Sequence, residues 1–329
     1  MKAVVVGPSF GKEHLSVTSV GSPSGMESGI RVRITLAALN PLDYNLINGK
    51  IIYNLTPIPH IPGSEAIGIA QENGKKIKKG DRVVIYNRRF DGTCKYCSEG
   101  REELCDTGGI LGVVTNGFYA EEALVPEKNL LRIPPNVTDE VAVSLPIAGL
   151  TALHSLNMAG GKKGEEILIY GASGNTGLFA SQIAHRMGMK VYGISRKAWI
   201  KEYGCQEVFS TASEIPEGKR FDVVLNSLGS QFWDDSLSRI GKGGRLVTFG
   251  TLTGREGKID ISRIYSNEQA IMGSTGGTAK EMAEILDMAG KGNFKVRVDK
   301  VYELDSIIEA LSRYEELHDG RIFIRVSDS

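Results

Sequence analysis

A glycine-rich turn between a strand and a helix constrains the fold of this 329-residue chain more than any other feature. The apolar run at residues 167–170 leads into this turn, and a helical pattern follows it as far as Gly188. Glycines at such a junction let the backbone approach a pyrophosphate, which the free amides and dipole of the helix N-terminus stabilise. This context predicts a dinucleotide site rather than an ordinary βα turn. Its predicted contacts are Gly171, Ser173, Gly174, Asn175, Thr176 and Gly177.

The region around this turn alternates between apolar strand-like runs and helical stretches. Runs at residues 166–170, 190–194, 221–225 and 245–249 are strand-like, and residues 176–187 have a helical pattern. Because parallel strands need crossover helices, this alternation predicts parallel βαβ units.

The first 120 or so residues have a different pattern, with short β-branched or alternating runs at 31–38, 82–86 and 118–125. Proline and glycine separate these runs, which predicts a β-rich or barrel-like unit. Beyond residue 267, a strand (270–273) and a helix (279–289) precede two more strands, 300–304 and 321–326. We expect these last strands to return to the first unit, so that the cofactor unit is an insertion.

The residues after the second strand of the βαβ region predict which dinucleotide binds. An acidic residue there would bond the ribose 2′-hydroxyl of NAD, whereas Ser195, Arg196 and Lys197 suit a 2′-phosphate. The sequence therefore favours NADPH. The alternative is that Arg196 and Lys197 only solvate the next helix.

Three of the four cysteines lie in one loop, where Asp91, Cys94, Cys97 and Cys105 have the spacing D-x2-C-x2-C-x7-C. Three thiolates and one carboxylate can complete a tetrahedral shell around Zn²⁺ without an open position for substrate. The loop therefore predicts one structural zinc per chain. Free thiols with Asp91 as a turn residue are the alternative.

Composition excludes several kinds of partner. Acidic and basic residues balance at 39 each and form no like-charge block, so nucleic acid is not an expected partner. The sequence contains no apolar run of membrane-spanning length. We expect a cytoplasmic protein with a small-molecule substrate and no membrane partner.

Several motifs in order resemble the medium-chain dehydrogenase/reductases. They are Gly80-Asp81-Arg82-Val83, the cysteine loop, Leu145-Pro146-Ile147-Ala148-Gly149 and the glycine-rich turn. The resemblance implies an α/β protein with a GroES-like β-rich catalytic domain and a Rossmann doubly wound parallel-sheet domain. We assign residues 1–124 and 267–329 to the first domain and 125–266 to the second. The resemblance also implies a homodimer or homotetramer.

The departures from this family bear on its chemistry. Where its zinc alcohol dehydrogenases carry two catalytic-zinc ligands, a cysteine and a histidine, this chain has Asn40 and Ser64. An amide and a hydroxyl are poor substitutes for a thiolate and an imidazole, so catalytic zinc is not expected. Asp91 likewise replaces the first cysteine of the family's structural-zinc loop. The segments around Asn40, Ser64 and 221–229 look like the zinc-independent quinone oxidoreductase and enoyl reductase branch.

Catalytic roles follow from this resemblance. Without a metal ion, hydrogen-bond donors must stabilise the enolate charge, and the candidates are Asn40, Ser64 and Tyr44. Tyr44 or Tyr53 is the candidate proton donor, although either is equally well explained as a packing residue. By topology, Asn226, Gly250 and Ser274 are expected at the cofactor.

Three hypotheses about function remain open at this point. The first is a zinc-independent, NADPH-dependent reductase of a quinone, an enone or an enoyl thioester. The second is a zinc alcohol or polyol dehydrogenase with substituted ligands. The third is an NADPH-binding protein whose active site has decayed.

Overall fold

The structure, a computed structural model, describes residues 1–25, 29–51, 56–292, 294–316 and 318–328. It divides into two compact units, unit 1 (Met1–Ile147 with Thr278–Ser329) and unit 2 (Ala148–Gly277). Unit 1 is thus built from both ends of the chain, as the sequence predicts for its last strands.

The strands and helices follow in chain order. The N-terminal part of unit 1 has β1 (Lys2–Val6), β2 (Leu15–Ser19), β3 (Gly29–Ala38), α1 (Pro41–Ile47), β4 (Ala66–Ala70), β5 (Arg82–Ile85), β6 (Arg88–Arg89), α2 (Lys95–Ser98), β7 (Gly109–Ile110), β8 (Glu122–Pro126), β9 (Leu130–Arg132) and α3 (Asp139–Val143). Unit 2 has α4 (Leu150–Ala159), β10 (Glu166–Tyr170), α5 (Asn175–Arg186), β11 (Lys190–Ile194), β12 (Glu207–Phe209), β13 (Phe221–Asn226), α6 (Trp233–Ser238), β14 (Ile240–Thr248), α7 (Ile261–Ser266) and β15 (Ala270–Gly273). The C-terminal part of unit 1 has α8 (Ala279–Lys291), β16 (Val298–Glu303), α9 (Ile307–Glu315) and β17 (Arg321–Arg325).

A seven-stranded sheet forms the frame of unit 1. Its order is β16-β17-β3-β4-β5-β9, and β8 also pairs with β3. In β3, Ile30, Val32 and Ile34 alternate with less buried residues and pack into the core. This period of two is the pattern of a strand with one face on the core. Two hairpins, β1–β2 and β6–β7, complete the β-structure of the described part of this unit.

The C-terminal strands close this sheet. Phe323 of β17 pairs antiparallel with Ala38 of β3, and β16 pairs with β17. This pairing confirms the expectation that the last strands return to the β-rich unit.

Unit 2 is a six-stranded parallel sheet in the order β12-β11-β10-β13-β14-β15. The strand order reverses beside β10, which is the arrangement that binds dinucleotides at the carboxyl ends of the strands. The apolar runs predicted at 166–170, 190–194 and 270–273 are confirmed as β10, β11 and β15.

One expectation differs from the structure. Residues 118–121 are not part of the strand predicted at 118–125, which begins at Glu122, because the amides of Phe118 and Tyr119 bond to the loop carbonyls of Gly63 and Pro62 instead of a strand ladder. The compact units also end later than our domain limits at 124 and 266. β9 and α3 pack on the sheet of unit 1, and β15 pairs with β14. The domain limits themselves stay a prediction.

Among the helices of the described residues, none combines the length and the apolar character that crossing a membrane requires.

Candidate functional site

The glycine-rich turn of unit 2 has the geometry of a phosphate-binding loop. Gly171 follows β10 with a φ of +71°, in the left-handed region that favours glycine. A Cβ at Gly177 would lie 2.2 Å from the Gly171 carbonyl oxygen, so no larger residue fits there. α5 begins after Gly174, and within the described chain no side chain caps its first amides. These amides and the helix dipole can hold a pyrophosphate.

The residues after β11 lie beside this turn. The Ser195 hydroxyl donates to Ser173 Oγ (2.7 Å) and accepts from the Lys197 amide (2.9 Å). Arg196 is exposed, and its guanidinium has no ion-pair partner in the part of the chain that the structure describes. One hydroxyl and two cations thus stand next to the phosphate-binding turn, which is suitable chemistry for a ribose 2′-phosphate.

The other predicted cofactor residues lie at the carboxyl ends of β13, β14 and β15. Asn226 is buried, and its Oδ1 accepts from the amides of Leu228 and Gly229, both at 2.9 Å. Asn226 therefore shapes its own turn, and its cofactor role stays a prediction. A Cβ at Gly250 would lie 2.0 Å from the Ser227 carbonyl oxygen, so the two neighbouring turns touch. Ser274 Oγ accepts from Ser155 Oγ at 3.1 Å.

In unit 1, the segments of Asn40 and Ser64 meet in a buried polar network. The Asn40 amide nitrogen Nδ2 donates to Glu65 Oε2 (2.9 Å), and Arg321 Nη2 donates to the same oxygen (2.5 Å). The other Glu65 oxygen accepts from the Ile147 backbone amide (2.8 Å). Both members of the Glu65–Arg321 ion pair are buried, at 0% and 2% side-chain exposure.

The network has one cationic group and two buried carboxylates. Asp43 Oδ1 accepts from the Ser64 hydroxyl (2.6 Å) and the Ser64 amide (2.8 Å), while Oδ2 accepts from the Asn40 amide (2.9 Å). Burial raises the pKa of Asp43 to about 6, against the effect of these hydrogen bonds. Sequence reasoning missed Asp43, Glu65 and Arg321 as site residues. Asp43 and Glu65 could have been found from the sequence, because they lie in the same motifs as Asn40 and Ser64. Arg321 could only be assigned to a strand, because no sequence motif relates it to the other two.

Two of the predicted catalytic residues, Asn40 and Ser64, form hydrogen bonds within this network. The Ser64 hydroxyl hydrogen is directed at Asp43, so donation to a substrate would require breaking that bond. Asn40 is 1% exposed, and its Nδ2, which donates to Glu65, also makes a long contact of 3.5 Å with the Ala38 carbonyl. The catalytic roles of Ser64 and Asn40 stay predictions.

Of the two predicted tyrosines, the structure describes Tyr44. The Tyr44 hydroxyl donates to Glu315 (2.9 Å), and its ring lies 5.3 Å from the Tyr314 ring. Burial and the Glu315 carboxylate raise the pKa of Tyr44, which favours the protonated phenol. Tyr53 lies outside the described residues.

The four predicted metal ligands come together. One ligand atom from each of Asp91, Cys94, Cys97 and Cys105 lies within 4.8 Å of all the others. This spacing and donor set fit a tetrahedral Zn²⁺ with all four positions filled by protein.

Asp91 has a second task in this loop. Its Oδ1 accepts from the Thr93 amide (2.6 Å) and the Cys94 amide (2.9 Å), and its Oδ2 faces Cys105 and Thr107. These hydrogen bonds, the one from Thr93 first, hold the pKa of Asp91 well below its usual range. Oδ1 thus orders the turn, and Oδ2 is placed as the ligand atom.

Comparison with known proteins gives matches over both units. Residues 27–135 match the family described as alcohol dehydrogenase GroES-like domain, and residues 176–291 match the zinc-binding dehydrogenase family. An acryloyl-coenzyme A reductase of Sulfurisphaera tokodaii is 29% identical over 99% of this chain and 100% of that protein. An alcohol dehydrogenase of Geobacillus stearothermophilus is 31% identical over 99% of this chain and 100% of that protein.

A solved structure is also similar. The cobalt- and zinc-bound thermostable alcohol dehydrogenase from Pyrobaculum aerophilum is 35% identical, covers 99% of both chains and has a TM-score of 0.92. Together, these matches confirm the predicted fold class, a GroES-like β-rich domain with a Rossmann-type parallel sheet.

The titration of Asp43 gives a first prediction. In Asp43→Asn the titrating group is removed at nearly constant volume. The folded wild-type protein keeps a proton on Asp43 up to a pKa of about 6, whereas the unfolded chain releases it near 3.8. The free energy of unfolding of the wild type, relative to the variant, should therefore fall by roughly 3 kcal/mol as the pH rises through this window. Urea unfolding of both proteins at about pH 4 and about pH 7.5 measures this difference, and an unchanged difference contradicts it.

The two roles of Asp91 give a second prediction. Asp91→Asn keeps an acceptor for the Thr93 and Cys94 amides but removes the anionic ligand. The affinity for Zn²⁺ should fall roughly tenfold or more, whereas Asp91→Cys should retain zinc. Competition with a chromogenic chelator measures the affinity. Asp106→Asn, which removes a neighbouring exposed carboxylate, is the control. If Asp91→Asn binds Zn²⁺ with wild-type affinity, Asp91 stabilises the turn and is not a zinc ligand.

Proposed function

The chain belongs to the medium-chain dehydrogenase/reductase superfamily, and from this membership we propose that it is a zinc-independent, NADPH-dependent reductase of a conjugated carbonyl compound. Members similar to it along the whole chain are oxidoreductases, named as reductases or alcohol dehydrogenases. The proposal concerns the cofactor, the metal requirement and the kind of acceptor.

The observation that carries this proposal is the buried network in unit 1. At the two positions where the family's zinc alcohol dehydrogenases hold catalytic zinc, Asn40 is bonded to Glu65 and Ser64 is bonded to Asp43. Neither side chain is a competent zinc ligand. Arg321 already neutralises the Glu65 carboxylate, so a divalent cation is not needed to balance the buried charge.

A reductase without a metal ion needs an acceptor whose developing charge hydrogen bonds can stabilise. NADPH supplies the hydride when bound, and a double bond conjugated to a carbonyl spreads the negative charge onto that oxygen as an enolate. Asn40 is the first candidate donor, because its amide stands where the family's zinc alcohol dehydrogenases carry a catalytic-zinc ligand. Tyr44 remains the candidate proton donor among the described residues, because its raised pKa keeps the phenol protonated.

The proposal of NADPH rests on the residues after β11. Arg196 and Lys197 supply positive charge, and Ser195 lies against Ser173 of the phosphate-binding turn. None of the three residues directly after β11 is acidic, so none of them can accept a hydrogen bond from a free 2′-hydroxyl through a carboxylate.

Among conjugated acceptors, we favour an enoyl thioester. The similarity to an acryloyl-coenzyme A reductase over the whole chain supports this choice. We also propose that the cysteine loop holds one structural Zn²⁺, which takes no part in the reaction.

A zinc-dependent alcohol dehydrogenase is the second candidate, because two of the similar proteins are named alcohol dehydrogenases and one of them was solved with cobalt and zinc bound. It would require two metal ions per chain with substitute ligands at the second site.

Turnover and metal content together test the proposal. We would follow NADPH oxidation with an enoyl thioester, an enone, a quinone and a simple aldehyde, before and after chelation, and count bound metal. In the control variant Gly177→Ala, a Cβ would clash with the Gly171 carbonyl and disturb the phosphate-binding turn. Turnover that depends on the bound cofactor should therefore be lost in this variant. Reduction of a conjugated acceptor that survives chelation, with about one zinc per chain, is the expected result.

Two other results would contradict the proposal. Aldehyde or alcohol turnover that is lost with a second zinc would identify an alcohol dehydrogenase. NADPH binding without turnover of any acceptor would identify a decayed enzyme.

The cofactor assignment has its own prediction. Arg196→Ala should raise the NADPH dissociation constant roughly tenfold or more and leave that for NADH nearly unchanged, because a charge-assisted bond to the 2′-phosphate is lost. Fluorescence titration with both cofactors measures this effect. Lys242→Ala removes another exposed cation of unit 2 and serves as the control. Equal effects on the two cofactors would contradict NADPH specificity.

A further inference from the structure

Unit 1 contains a cavity of about 680 Å³. It is bordered by the β1–β2 hairpin, residues 59–61, the end of β6, the loop at 111–118 and strand β8. None of the residues discussed above for the cofactor, the acceptor or the metal lines it. Its volume is in the range of about 300–1,000 Å³ that is usual for small-molecule pockets.

Most of the cavity wall is apolar. Its aliphatic and aromatic side chains come from four different segments and include Val5, Val20, Ile61, Phe118 and Leu124. Val5 and Val20 of the hairpin are only partly buried, so they present apolar surface that a ligand would cover. Such a wall favours a hydrocarbon chain.

Positive charge is found around Phe90 and at the N-terminal ammonium of Met1, which donates to the Val20 carbonyl (2.9 Å). The Arg89 guanidinium is exposed and has no ion-pair partner among residues 1–25, 29–51, 56–292, 294–316 and 318–328. The Lys128 ammonium donates to the Phe90 carbonyl (2.8 Å) and lies 3.8 Å from the centre of the Phe90 ring. Two further hydrogens of Lys128 remain for a ligand.

The remaining ionisable residues of the wall do not offset this charge. Glu122 is paired with Arg31 at 3.0 Å. His60 is fully buried, and its Nε2 lies 2.9 Å from the Gly112 carbonyl, so that its buried Nδ1 is an uncharged acceptor. Burial lowers the pKa of His60, which keeps the ring neutral.

We propose that this cavity binds a monocarboxylate with an apolar chain, of the fatty-acid type. Its carboxylate lies between Arg89 and Lys128, and its chain covers Val5, Val20 and Leu124. A guanidinium and an ammonium from neighbouring parts of one mostly apolar wall match a ligand with a single carboxylate and a hydrocarbon chain. This site is independent of the proposed reductase function.

Calorimetric titration of the full-length protein with decanoate, at saturating NADPH, tests this site. Wild-type protein should bind one decanoate per chain. Arg89→Ala should weaken binding roughly tenfold, because a charge-assisted bond is lost. Lys79→Ala, which removes an exposed cation of unit 1 outside the cavity, should bind as the wild type does. Leu124→Trp should abolish binding by filling the cavity, and decan-1-ol should bind more weakly than decanoate.

Several results would overturn the proposal. One is the absence of saturable decanoate binding to the wild type, and another is unchanged binding in Arg89→Ala. A third is displacement of decanoate by an enoyl thioester, which would place the decanoate at the catalytic site. Arg89→Ala changes an exposed side chain, so it remains informative if Leu124→Trp fails to fold. NADPH turnover of each variant is measured separately, so loss of the proposed reductase activity and loss of decanoate binding are distinguishable.

Discussion

The buried ion pair between Glu65 and Arg321 links distant segments of unit 1. It joins the segment before β4 to the last strand, β17, across 256 residues of sequence. Burying two charges is expensive, and removing one partner of such a pair usually costs about 3–5 kcal/mol because the other charge is left uncompensated. The buried Glu65 carboxylate therefore also needs the hydrogen bonds that Asn40 and Ile147 donate to it.

The same constraint shapes the chemistry proposed for the protein. A catalytic zinc would add two positive charges to a site where a guanidinium already balances one carboxylate. Asp43 is left as the second buried carboxylate, and its raised pKa reflects this environment. The substitution of both zinc ligands and the closed hydrogen-bond network are thus consistent with each other, and they favour an acceptor that can be reduced without a Lewis acid.

How much the sequence could predict differs between the two units. The parallel strands and the phosphate-binding turn were predictable, because local periodicity and glycine placement determine them. The metal cluster was predictable because its four ligands lie within one loop. The network around Arg321 was not predictable, because its members come from distant segments and no local sequence pattern indicates that they lie together. The pairing of β15 with β14 could not be predicted for the same reason, because strand pairing is a long-range property.

The order in which the two units can form during synthesis follows from the position of β17. Unit 2 is a continuous stretch and can fold as soon as Gly277 has left the ribosome. Unit 1 lacks its closing strand, and Glu65 lacks its cation, until Arg321 and the rest of β17 have been released. A chain truncated before β17 would therefore leave an edge of β3 unpaired and Glu65 without its cation. We expect chaperones and proteases to act on such a chain even after unit 2 has folded.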